Sequence, residues 1–404
     1  MATSRTIVVA GAGIGGLTAS LALAAKGFRV IILEKAERLE EAGAGLQLSP
    51  NASRVLIDLG LRPRLAPRAI VPDAVTVMSA RSGAEVVRLP LGEAATFRCG
   101  APYWVIHRAD LQSALQAQVN DTPAIELRLG CQFEDVASHA KGVTVGQRSN
   151  ATRQQEPALA LIGADGIWSS VRSQLFPESH PQFSGLIAWR GTIDAKQLPR
   201  GITARGVQLW MGSNAHLVAY PISAGRQINI VAIVADSWNR PGWSALGEAT
   251  EIKNRFAAAR WPSPARMMIG AVDSWKRWAL FTMPDGGVWS KGATALLGDA
   301  SHGMLPFAAQ GAGMAIEDAA VLAKCLEESH GERGTGDALS VPATLQRYGR
   351  LRQSRVGRVQ RTARQNGTIY HLGGPAAFAR DLVMRSIGGA QLLARQDWIY
   401  DWRA

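Results

Sequence analysis

The 404-residue chain has only three cysteines, Cys99, Cys131 and Cys325, and none lies in a CxxC pair or at a His/Cys spacing typical of zinc sites. The sequence therefore predicts neither a disulfide framework nor a metal site, and it favours the reducing cytoplasm. Long uncharged apolar runs are also missing, because Lys26, Arg29 and several glycines interrupt the apolar stretch near the first residues. A membrane-spanning helix needs roughly 20 largely apolar residues. We therefore expect a soluble protein with no membrane contact.

The composition excludes a disordered chain. Hydrophobic residues make up 47% of the sequence, charged residues only 19%, and the mean hydropathy is close to zero. A chain of this length and composition is expected to fold as one large or two intertwined globular domains.

Positive charge is in excess, with 44 Lys and Arg against 32 Asp and Glu, which gives a net charge of +12. Such an excess suggests nucleic acid or a membrane surface as a partner. Nucleic-acid patches, however, usually interleave aromatic residues, and only Tyr348 accompanies the arginines that crowd the C-terminal segment. We expect a solvated helix with some acid pairs, and no nucleic-acid partner. These arginines are Arg347, Arg350, Arg352, Arg355, Arg358, Arg361 and Arg364.

The order of apolar patterns predicts an α/β fold. Residues 5–34 indicate a strand, a helix and a second strand, which is a parallel βαβ unit. The stretches GLIAWRGTI, GVQLWMG, HLVAYPI and INIVAIV between residues 180 and 285 indicate a mainly antiparallel sheet. A further strand and a helix from about Gly311 to Glu327 follow, and the tail is helical. SNATRQQEP is predicted as a polar turn and GERGTGD as a linker.

This order predicts a discontinuous nucleotide-binding domain at residues 1–177 plus 286–340. It is interrupted by a substrate-side β-sheet domain at 178–285 and followed by a C-terminal helical segment at 341–404. A ligand is expected between the first two units.

A glycine motif, Gly11-Ala-Gly13-Ile-Gly15-Gly16, follows the first strand and opens the first helix. In this context the GxGxxG pattern predicts a dinucleotide-binding turn. Gly11 permits the tight turn, Gly13 lets the backbone approach a pyrophosphate, and Gly16 lets the helix lie close to the strand. The helix N-terminus attracts the pyrophosphate, and Glu34 can accept hydrogen bonds from a ribose. This motif does not separate FAD from NAD.

Two further motifs favour a flavin. IGADG at 162–166 places an acid and a glycine at the end of an apolar strand, and LLGDASH at 296–302 leads to QGAG at 310–313. With the three motifs in this order, residues 6 to about 325 resemble the FAD-dependent aromatic hydroxylases, the single-component flavoprotein monooxygenases. The resemblance implies a Rossmann-like FAD-binding domain interrupted by a substrate-side sheet and followed by a helical tail.

The resemblance implies cofactor-binding roles. Arg108 resembles the arginine that reaches the FAD phosphate and ribitol, Asp165 the acid between the FAD and NAD(P)H sites, and Asp299 the acid on the ribityl chain. Structural alternatives remain open: Arg108 as a surface cation, Asp165 in a turn, and Asp299 as an N-cap. The predicted cofactor-binding residues are Gly11, Gly13, Gly15, Gly16, Glu34, Lys35, Arg108, Asp165, Asp299, Gly311, Ala312 and Gly313.

Candidate substrate residues lie on the predicted strand HLVAYP. Alternation places His216, Val218 and Tyr220 on one face. Two hydrogen-bonding side chains around an apolar one suit a phenolic ring, although an ordinary half-buried strand explains the same pattern. The resemblance implies that this strand lines the substrate face of the flavin.

Three further residues complete the predicted substrate site. The resemblance places Pro306 and Gln310 near the reacting ring, and Gln47, in GAGLQLSPN, at the edge of the pocket. His216, Tyr220 and Pro306 are the predicted catalytic residues, whereas Gln47, His216, Tyr220 and Gln310 are predicted to bind substrate.

The implied reaction is hydroxylation of a small phenolic aromatic acid, as in the salicylate and 3-hydroxybenzoate hydroxylase branch. FAD, bound tightly but non-covalently, is reduced by NADH or NADPH, and O2 then forms a C4a-hydroperoxide that hydroxylates the ring. His216 or Tyr220 would remove the phenol proton in a dry pocket.

Several alternatives stay open. One is hydroxylation of a hydroxypyridine carboxylate such as 6-hydroxynicotinate. Another is an FAD-dependent reductase on the same fold, which takes up no oxygen when it makes product, and a third is a binding protein without turnover. The protein is expected to be a cytoplasmic monomer or homodimer.

Overall fold

The structure is a computed structural model that describes residues 5–39, 45–150, 152–198, 205–240, 242, 244–330 and 339–404. The predicted linker GERGTGD, at 331–337, lies outside these residues. In the described part of the chain, no helix has the length and apolarity needed to cross a membrane.

The strands, in chain order, are β1 (Thr6–Ala10), β2 (Arg29–Glu34), β3 (Gly45–Leu48), β4 (Ala74–Ser79), β5 (Glu85–Pro90), β6 (Trp104–His107), β7 (Ile125–Leu129), β8 (Cys131–His139), β9 (Gly142–Ser149), β10 (Thr152–Ala158), β11 (Ala160–Gly163), β12 (Gln182–Asp194), β13 (Val207–Gly212), β14 (Ala215–Ile222), β15 (Gln227–Ala235), β16 (Ala245–Gly247), β17 (Trp275–Thr282), β18 (Ser290–Lys291) and β19 (Thr294–Leu296).

The helices are α1 (Ile14–Ala24), α2 (Pro50–Asp58), α3 (Arg62–Leu65), α4 (Gly92–Cys99), α5 (Arg108–Asn120), α6 (Ser170–Leu175), α7 (Ala249–Ala258), α8 (Ser263–Gly270), α9 (Asp299–His302), α10 (Gly311–His330), α11 (Val341–Tyr370), α12 (Gly374–Ile387), α13 (Gly389–Ala394) and α14 (Asp397–Tyr400). A 3-10 turn at Pro306–Ala308 precedes α10.

The first large sheet contains the predicted βαβ unit. Its strand order is β18-β19-β11-β1-β2-β7, and all neighbours are parallel except β18 and β19. The inner strands are apolar and buried, as expected where helices cover a parallel sheet. Helices α1 and α10 share its main hydrophobic cluster. The loops after β1, β11 and β19 therefore leave the sheet at the same edge.

The second large sheet has the order β16-β17-β12-β15-β14-β13-β4-β5 and is antiparallel except between β13 and β4. The expectation of a mainly antiparallel sheet is thus confirmed. Strands β4 and β5, however, belong to this sheet, although the proposed division assigned them to the nucleotide-binding unit. The parallel pairing of β4 with β13 joins segments about 130 residues apart, and nothing local in the sequence signals it. The rest of the division stays a prediction.

The polar stretch SNATRQQEP is not only a turn. Thr152–Ala158 forms β10, which pairs antiparallel with β9 in a three-stranded sheet. Most of its side chains are exposed because β10 lies at the edge of that sheet. Asn150, which follows β9, has a φ of 52° and marks a tight connection. A polar edge strand has the composition of a loop, and this explains the wrong prediction.

A buried ion network joins α10 to α11. Arg352 Nη1 lies 2.8 Å from Glu317 Oε2 and its Nε lies 2.6 Å from Asp318 Oδ1, and all three side chains are buried. Arg355 Nε lies 2.6 Å from Glu317 Oε2. His302 Nε2 of α9 lies 2.5 Å from Asp318 Oδ2. Burial alone would raise the pKa of Asp318, but His302 and Arg352 outweigh burial and lower it to about 2.

The network corrects the expectation of a solvated arginine-rich helix. Arg347 and Arg364 do form the expected surface pairs, with Glu328 and Asp285. Arg352 instead is only 1% exposed and lies within the protein. A buried arginine is stable only with partners, and the two adjacent acids of α10 provide them.

We predict that Arg352→Met lowers the free energy of unfolding by about 3 kcal/mol or more, because it removes the buried cation that Glu317 and Asp318 share. Urea unfolding followed by circular dichroism measures the change. Arg350→Met, an exposed position two residues earlier in the same helix, is the matched control and should change stability by about 0.5 kcal/mol or less. Equal losses in the two variants would contradict the structural role of the network.

Candidate active site

A cavity of about 700 Å³ opens between the loop edge of the first sheet and one face of the second. Its walls come from the glycine turn after β1, the end of β2, strand β3, the loop after β11, strands β14 and β15, and the start of α10. The main motifs found in the sequence therefore meet in one place.

The glycine turn forms one end of the cavity. Gly11 has a φ of 103°, and a Cβ there would lie 2.5 Å from Ala164 O. At Gly13 a Cβ would meet no described atom within 4 Å, so a side chain would extend into the cavity. Within the described chain no side chain caps the N-terminus of α1. Its N–H groups are thus directed at a ligand position, as an anion site requires.

Glu34 and Lys35 lie beside this turn at the cavity wall. The carboxylate of Glu34 accepts hydrogen bonds from Ala12 N at 2.8 Å and Ala36 N at 2.9 Å. Each carboxylate oxygen has a second lone pair, so Glu34 can still accept a bond from a hydroxyl group. Arg108, the first residue of α5, also lines the cavity.

Asp165 lines the cavity and at the same time caps a helix. Its Oδ2 accepts hydrogen bonds from Ser170 N at 2.7 Å and Val171 N at 3.1 Å at the start of α6. Burial raises the pKa of Asp165, while bonds from Ser169 and these N–H groups act in the opposite direction. The local contacts of Asp165 are thus those of a structural residue in a turn. Because Asp165 also lies in the cavity wall, a role in ligand binding stays open.

Asp299 and the N-terminus of α10 form the opposite end. Asp299 is the first residue of α9, and the N-cap position belongs to Gly298, so the alternative of Asp299 as an N-cap is wrong. Asp299, Gly311 and Ala312 line the cavity. At Gly311 a Cβ would meet no described atom within 4 Å, so the backbone at the start of α10 is open to a ligand.

The residues present therefore fit FAD. Two helix N-termini open on one cavity at glycines, and Glu34, Arg108 and Asp299 line the wall between them. These residues would hold the pyrophosphate, the ribose and the ribityl chain. Redox chemistry is what FAD supplies when it is bound.

Strand β14 presents His216, Val218 and Tyr220 to the cavity, as alternation predicts. Across from them on β15 lie Ile233 and Val231, which make this face apolar between its polar ends. The prediction that His216, Val218 and Tyr220 share one face of a strand is confirmed. The catalytic roles of His216 and Tyr220 remain predictions.

His216 is buried at 2% exposure and pairs with a second histidine. Its Nδ1 lies 2.7 Å from His371 Nε2, at the end of α11. The rings of Phe307 and Tyr370 pack edge-on against it at 5.0 and 5.4 Å. Burial and, to a lesser degree, His371 hold the pKa of His216 well below its usual value. His216 is therefore a neutral imidazole at physiological pH.

Tyr220 donates its hydroxyl hydrogen to Gly45 O at 2.6 Å. Burial raises the pKa of Tyr220, and the nearby Arg190 offsets this only in part. A phenol that keeps its proton, and uses it in a hydrogen bond to a backbone carbonyl, is a poor base. The structure thus argues against Tyr220 as the residue that removes a proton, and it leaves Tyr220 as a hydrogen-bonding group in the wall.

Gln47 and Pro306 lie at the cavity, as expected. Gln47 Oε1 accepts a hydrogen bond from Tyr103 at 2.6 Å, so its NH2 group is what it can offer to a ligand. Pro306 begins the 3-10 turn before α10, and its carbonyl accepts a bond from Ala309 N. Proline has no titratable group, so Pro306 can act in catalysis only by shaping the site.

Three predicted residues lie behind the wall rather than in it. Gln310 is 1% exposed, and its amide bonds to Ser49 Oγ at 2.8 Å and Asn51 Nδ2 at 3.1 Å, so it is a structural residue and not a substrate ligand. Gly313 packs against this Gln310 amide. Gly16 faces Gly11 O, which a Cβ would approach to 1.9 Å, so it serves helix packing.

Arg190 and His371 are among the residues of the site that sequence reasoning missed. Arg190 of β12 lines the cavity, and His371 contacts His216 from α11. Alternation along GLIAWRGTI places Arg190 opposite to Trp189 and could have signalled the first. No local pattern indicates His371, which is 155 residues from its partner.

Comparison with known proteins gives matches over nearly the whole chain. Residues 4–363 match the family described as an FAD binding domain. The chain is 34% identical over 398 residues to a 3-hydroxybenzoate 6-hydroxylase of Polaromonas naphthalenivorans (strain CJ2), covering 98% of this chain and 96% of the relative. It is 37% identical over 400 residues to a 3-amino-4-hydroxybenzoate 2-monooxygenase of Streptomyces platensis, with 98% and 96% covered.

Among solved structures, a substrate complex of salicylate hydroxylase is 26% identical and superposes with a TM-score of 0.81. The superposition covers 99% of this chain and 96% of that one. The likeness thus includes both large sheets and the helical C-terminal region.

We predict that Gly13→Ala weakens FAD binding about tenfold or more, because the added methyl group would occupy space that a pyrophosphate needs. The φ of −70° at Gly13 suits alanine, so the apoprotein should keep its melting temperature. Flavin fluorescence titration of the apoprotein measures the affinity. Gly270→Ala, at an exposed and open position at the end of α8, is the control, and equal FAD affinity in both variants would contradict the placement.

Proposed function

Because the chain belongs to the FAD-dependent aromatic hydroxylases, which are monooxygenases that consume NAD(P)H and O2, we propose that it hydroxylates a small phenolic aromatic acid of the hydroxybenzoate or salicylate type. The names of its relatives support this class, since they refer to rings that carry both a hydroxyl and a carboxyl group. The observation that carries the proposal is the neutral His216 at the cavity wall, next to an apolar sheet face.

When bound, FAD would supply the redox chemistry that couples NAD(P)H oxidation to the use of O2, with one oxygen atom going to the ring and the other to water. The protein has to orient the ring, exclude water and manage the phenol proton. An electron-rich phenolate ring accepts an electrophilic oxygen more readily than the neutral phenol does.

His216 is the group that we assign to the phenol proton. If its Nδ1–H donates to His371 Nε2, the lone pair of its Nε2 is available to accept a proton from the substrate. Phe307 and Tyr370 fix the ring plane by edge-on packing. A pKa held low by burial keeps the imidazole unprotonated, so its free lone pair can accept the hydrogen bond of the substrate's phenol.

Tyr220 positions the substrate in this proposal. Its oxygen can accept a hydrogen bond while its own hydrogen stays on Gly45 O. Val218, Val231 and Ile233 supply the apolar surface against which a benzene ring can lie, and they limit the access of water.

We further propose that the protein works in the cytoplasm, as a monomer or a homodimer, without a nucleic-acid partner. The three cysteines are free thiols and buried, which agrees with a reducing compartment. Several C-terminal arginines have partners within the chain, such as Glu317, Glu328 and Asp285, so they are less available to phosphates.

The proposed function predicts oxygen uptake that depends on a phenolic acid. Oxidation of NADH and of NADPH should be followed together with oxygen consumption across a panel of hydroxybenzoates and hydroxynicotinates, with product identified by mass. We expect at least one hydroxybenzoate to gain one oxygen atom per NAD(P)H consumed. Product formation only from hydroxynicotinates would support the hydroxypyridine alternative, and reduced product without oxygen uptake would support a reductase.

We predict that His216→Asn lowers the hydroxylation rate about 100-fold or more, in the range typical of a lost general base, while the FAD content stays that of the wild type. Product formation at saturating substrate is the measurement. His180→Asn, an exposed histidine after α6, is the matched control and should have no effect.

The pH profile gives a second readout for His216. Because its pKa lies well below 6.5, lowering the pH from 8 to 6.5 should not protonate it, and the wild-type hydroxylation rate should stay level over that interval. A rate that falls through pH 6.5, or a His216→Asn variant with wild-type turnover, would contradict the assignment.

A further inference from the structure

We propose that Arg190 binds the carboxylate of the substrate and is the residue that selects an aromatic acid over a neutral phenol. This inference rests on the proposed function, because it names the group that would recognise the acid in the same site. It starts from an arginine that lines the cavity and has no acid partner among the described residues.

The position of Arg190 follows from alternation along β12. Ala188 packs with Ile233 and Phe307 on the cavity side of the sheet, whereas Trp189 packs into the hydrophobic cluster on the other side. Arg190 is two residues after Ala188 and therefore shares its face. Its guanidinium group lies over the ring of Trp278, 5.1 Å from the centroid, which holds it by a cation–π contact.

Arg277, a second arginine of the same sheet, contacts both aromatic rings and a carboxylate, and it serves as a comparison for Arg190. Arg277, on β17, pairs with Trp189 in the register and points to the opposite face. It lies over the rings of Trp189 and Trp238, and its Nη1 is 3.4 Å from Glu251 Oε2. Among the residues that the structure describes, Arg277 therefore has both a ring and a carboxylate as partners, whereas Arg190 has only a ring.

The Nε–H of Arg190 is buried and has no hydrogen-bond acceptor in the described chain. Burial lowers the pKa of Arg190 from its usual value; Tyr220 acts in the other direction, and the nearby positive charge of Arg108 lowers it further. An arginine nevertheless stays charged in proteins. A half-buried cation that has no anion among the described residues is unfavourable, so an anionic ligand in the cavity would be stabilised.

The strand register places Arg190 and His216 in adjacent rows of the sheet, so the two side chains can contact different groups of one substrate ring. Arg190 lies beside Val231, and Val231 lies beside Val218, so these three form one row across β12, β15 and β14. His216 lies in the next row, beside Ile233. A ring on the apolar patch between these rows can thus direct its hydroxyl group to His216 and its carboxylate to Arg190. The planar guanidinium group suits bidentate binding of a carboxylate.

The test compares the affinities of the FAD-loaded enzyme for benzoate and for benzamide, which have the same shape but differ in charge. Binding is followed by the perturbation of the flavin spectrum. The wild type should bind benzoate more tightly than benzamide. Arg190→Met should weaken benzoate binding about thirtyfold or more and leave benzamide binding within about threefold, and Arg190→Lys should restore part of the selectivity.

Arg277→Met is the matched control, because it removes a cation–π arginine from the other face of the same sheet. It should leave the ratio of benzoate to benzamide affinity unchanged. The FAD dissociation constant of Arg190→Met should also stay within about threefold of the wild type.

Two results would overturn the inference. In one, Arg190→Met keeps the selectivity of the wild type for benzoate. In the other, Arg190→Met loses FAD affinity while keeping that selectivity, which would place the arginine on the cofactor. Neither depends on turnover, so failure of the proposed function would show separately, as the absence of hydroxylated product from every phenolic acid.

Discussion

The contact between Arg352 and the adjacent acids Glu317 and Asp318 is the constraint on which the site depends. Asp318 also accepts a hydrogen bond from Gly298 N at 3.0 Å, in the loop that carries Asp299. Glu317 Oε1 accepts one from Asn51 Nδ2 at 2.7 Å, and Asn51 in turn contacts the Gln310 amide. One buried cluster of charge therefore fixes the start of α10, the loop before α9 and the region behind β3.

This arrangement explains how a helical C-terminal segment, remote in sequence from the glycine motif, supports a cofactor site. Helix α11 supplies Arg352 to the ion network, and His371, the residue directly after the helix, contacts His216 on the second sheet. The same helix thus contributes to the cofactor side and the substrate side of the cavity. A buried ion network is costly unless every charge has a partner, and here each acid has at least two.

The two sides of the cavity use different physical means. On the first sheet, backbone N–H groups at glycines are exposed toward a ligand, since side chains at Gly13 and Gly311 would fill the space. On the second sheet, alternation separates a closed tryptophan-rich core from an apolar face with His216 and Tyr220 at its ends. The first side suits a phosphate-bearing cofactor of fixed shape, and the second determines which ring lies beside it.

The parts of the fold that depend on local pattern could be predicted from the sequence. The GxGxxG turn with Glu34, the strand that carries His216 and Tyr220, and the helix at Gly311 each have a signal within a few residues. Features that depend on distant partners could not: the pairing of β4 with β13, the burial of Arg352 and the contact of His371 with His216. The expected position of Gln310 in the substrate site also depended on distant partners. Hydrogen bonds to Ser49 and Asn51 direct its amide away from the cavity.

The central claim is that both sheets build one site in which a phenolic acid lies between His216 and Arg190. A crystal structure of the FAD-loaded protein with a bound hydroxybenzoate tests it most directly. We expect the phenol oxygen within hydrogen-bond distance of His216 Nε2 and the carboxylate on the Arg190 guanidinium group. A ring bound with its carboxylate at His216, or bound outside this cavity, would contradict the account.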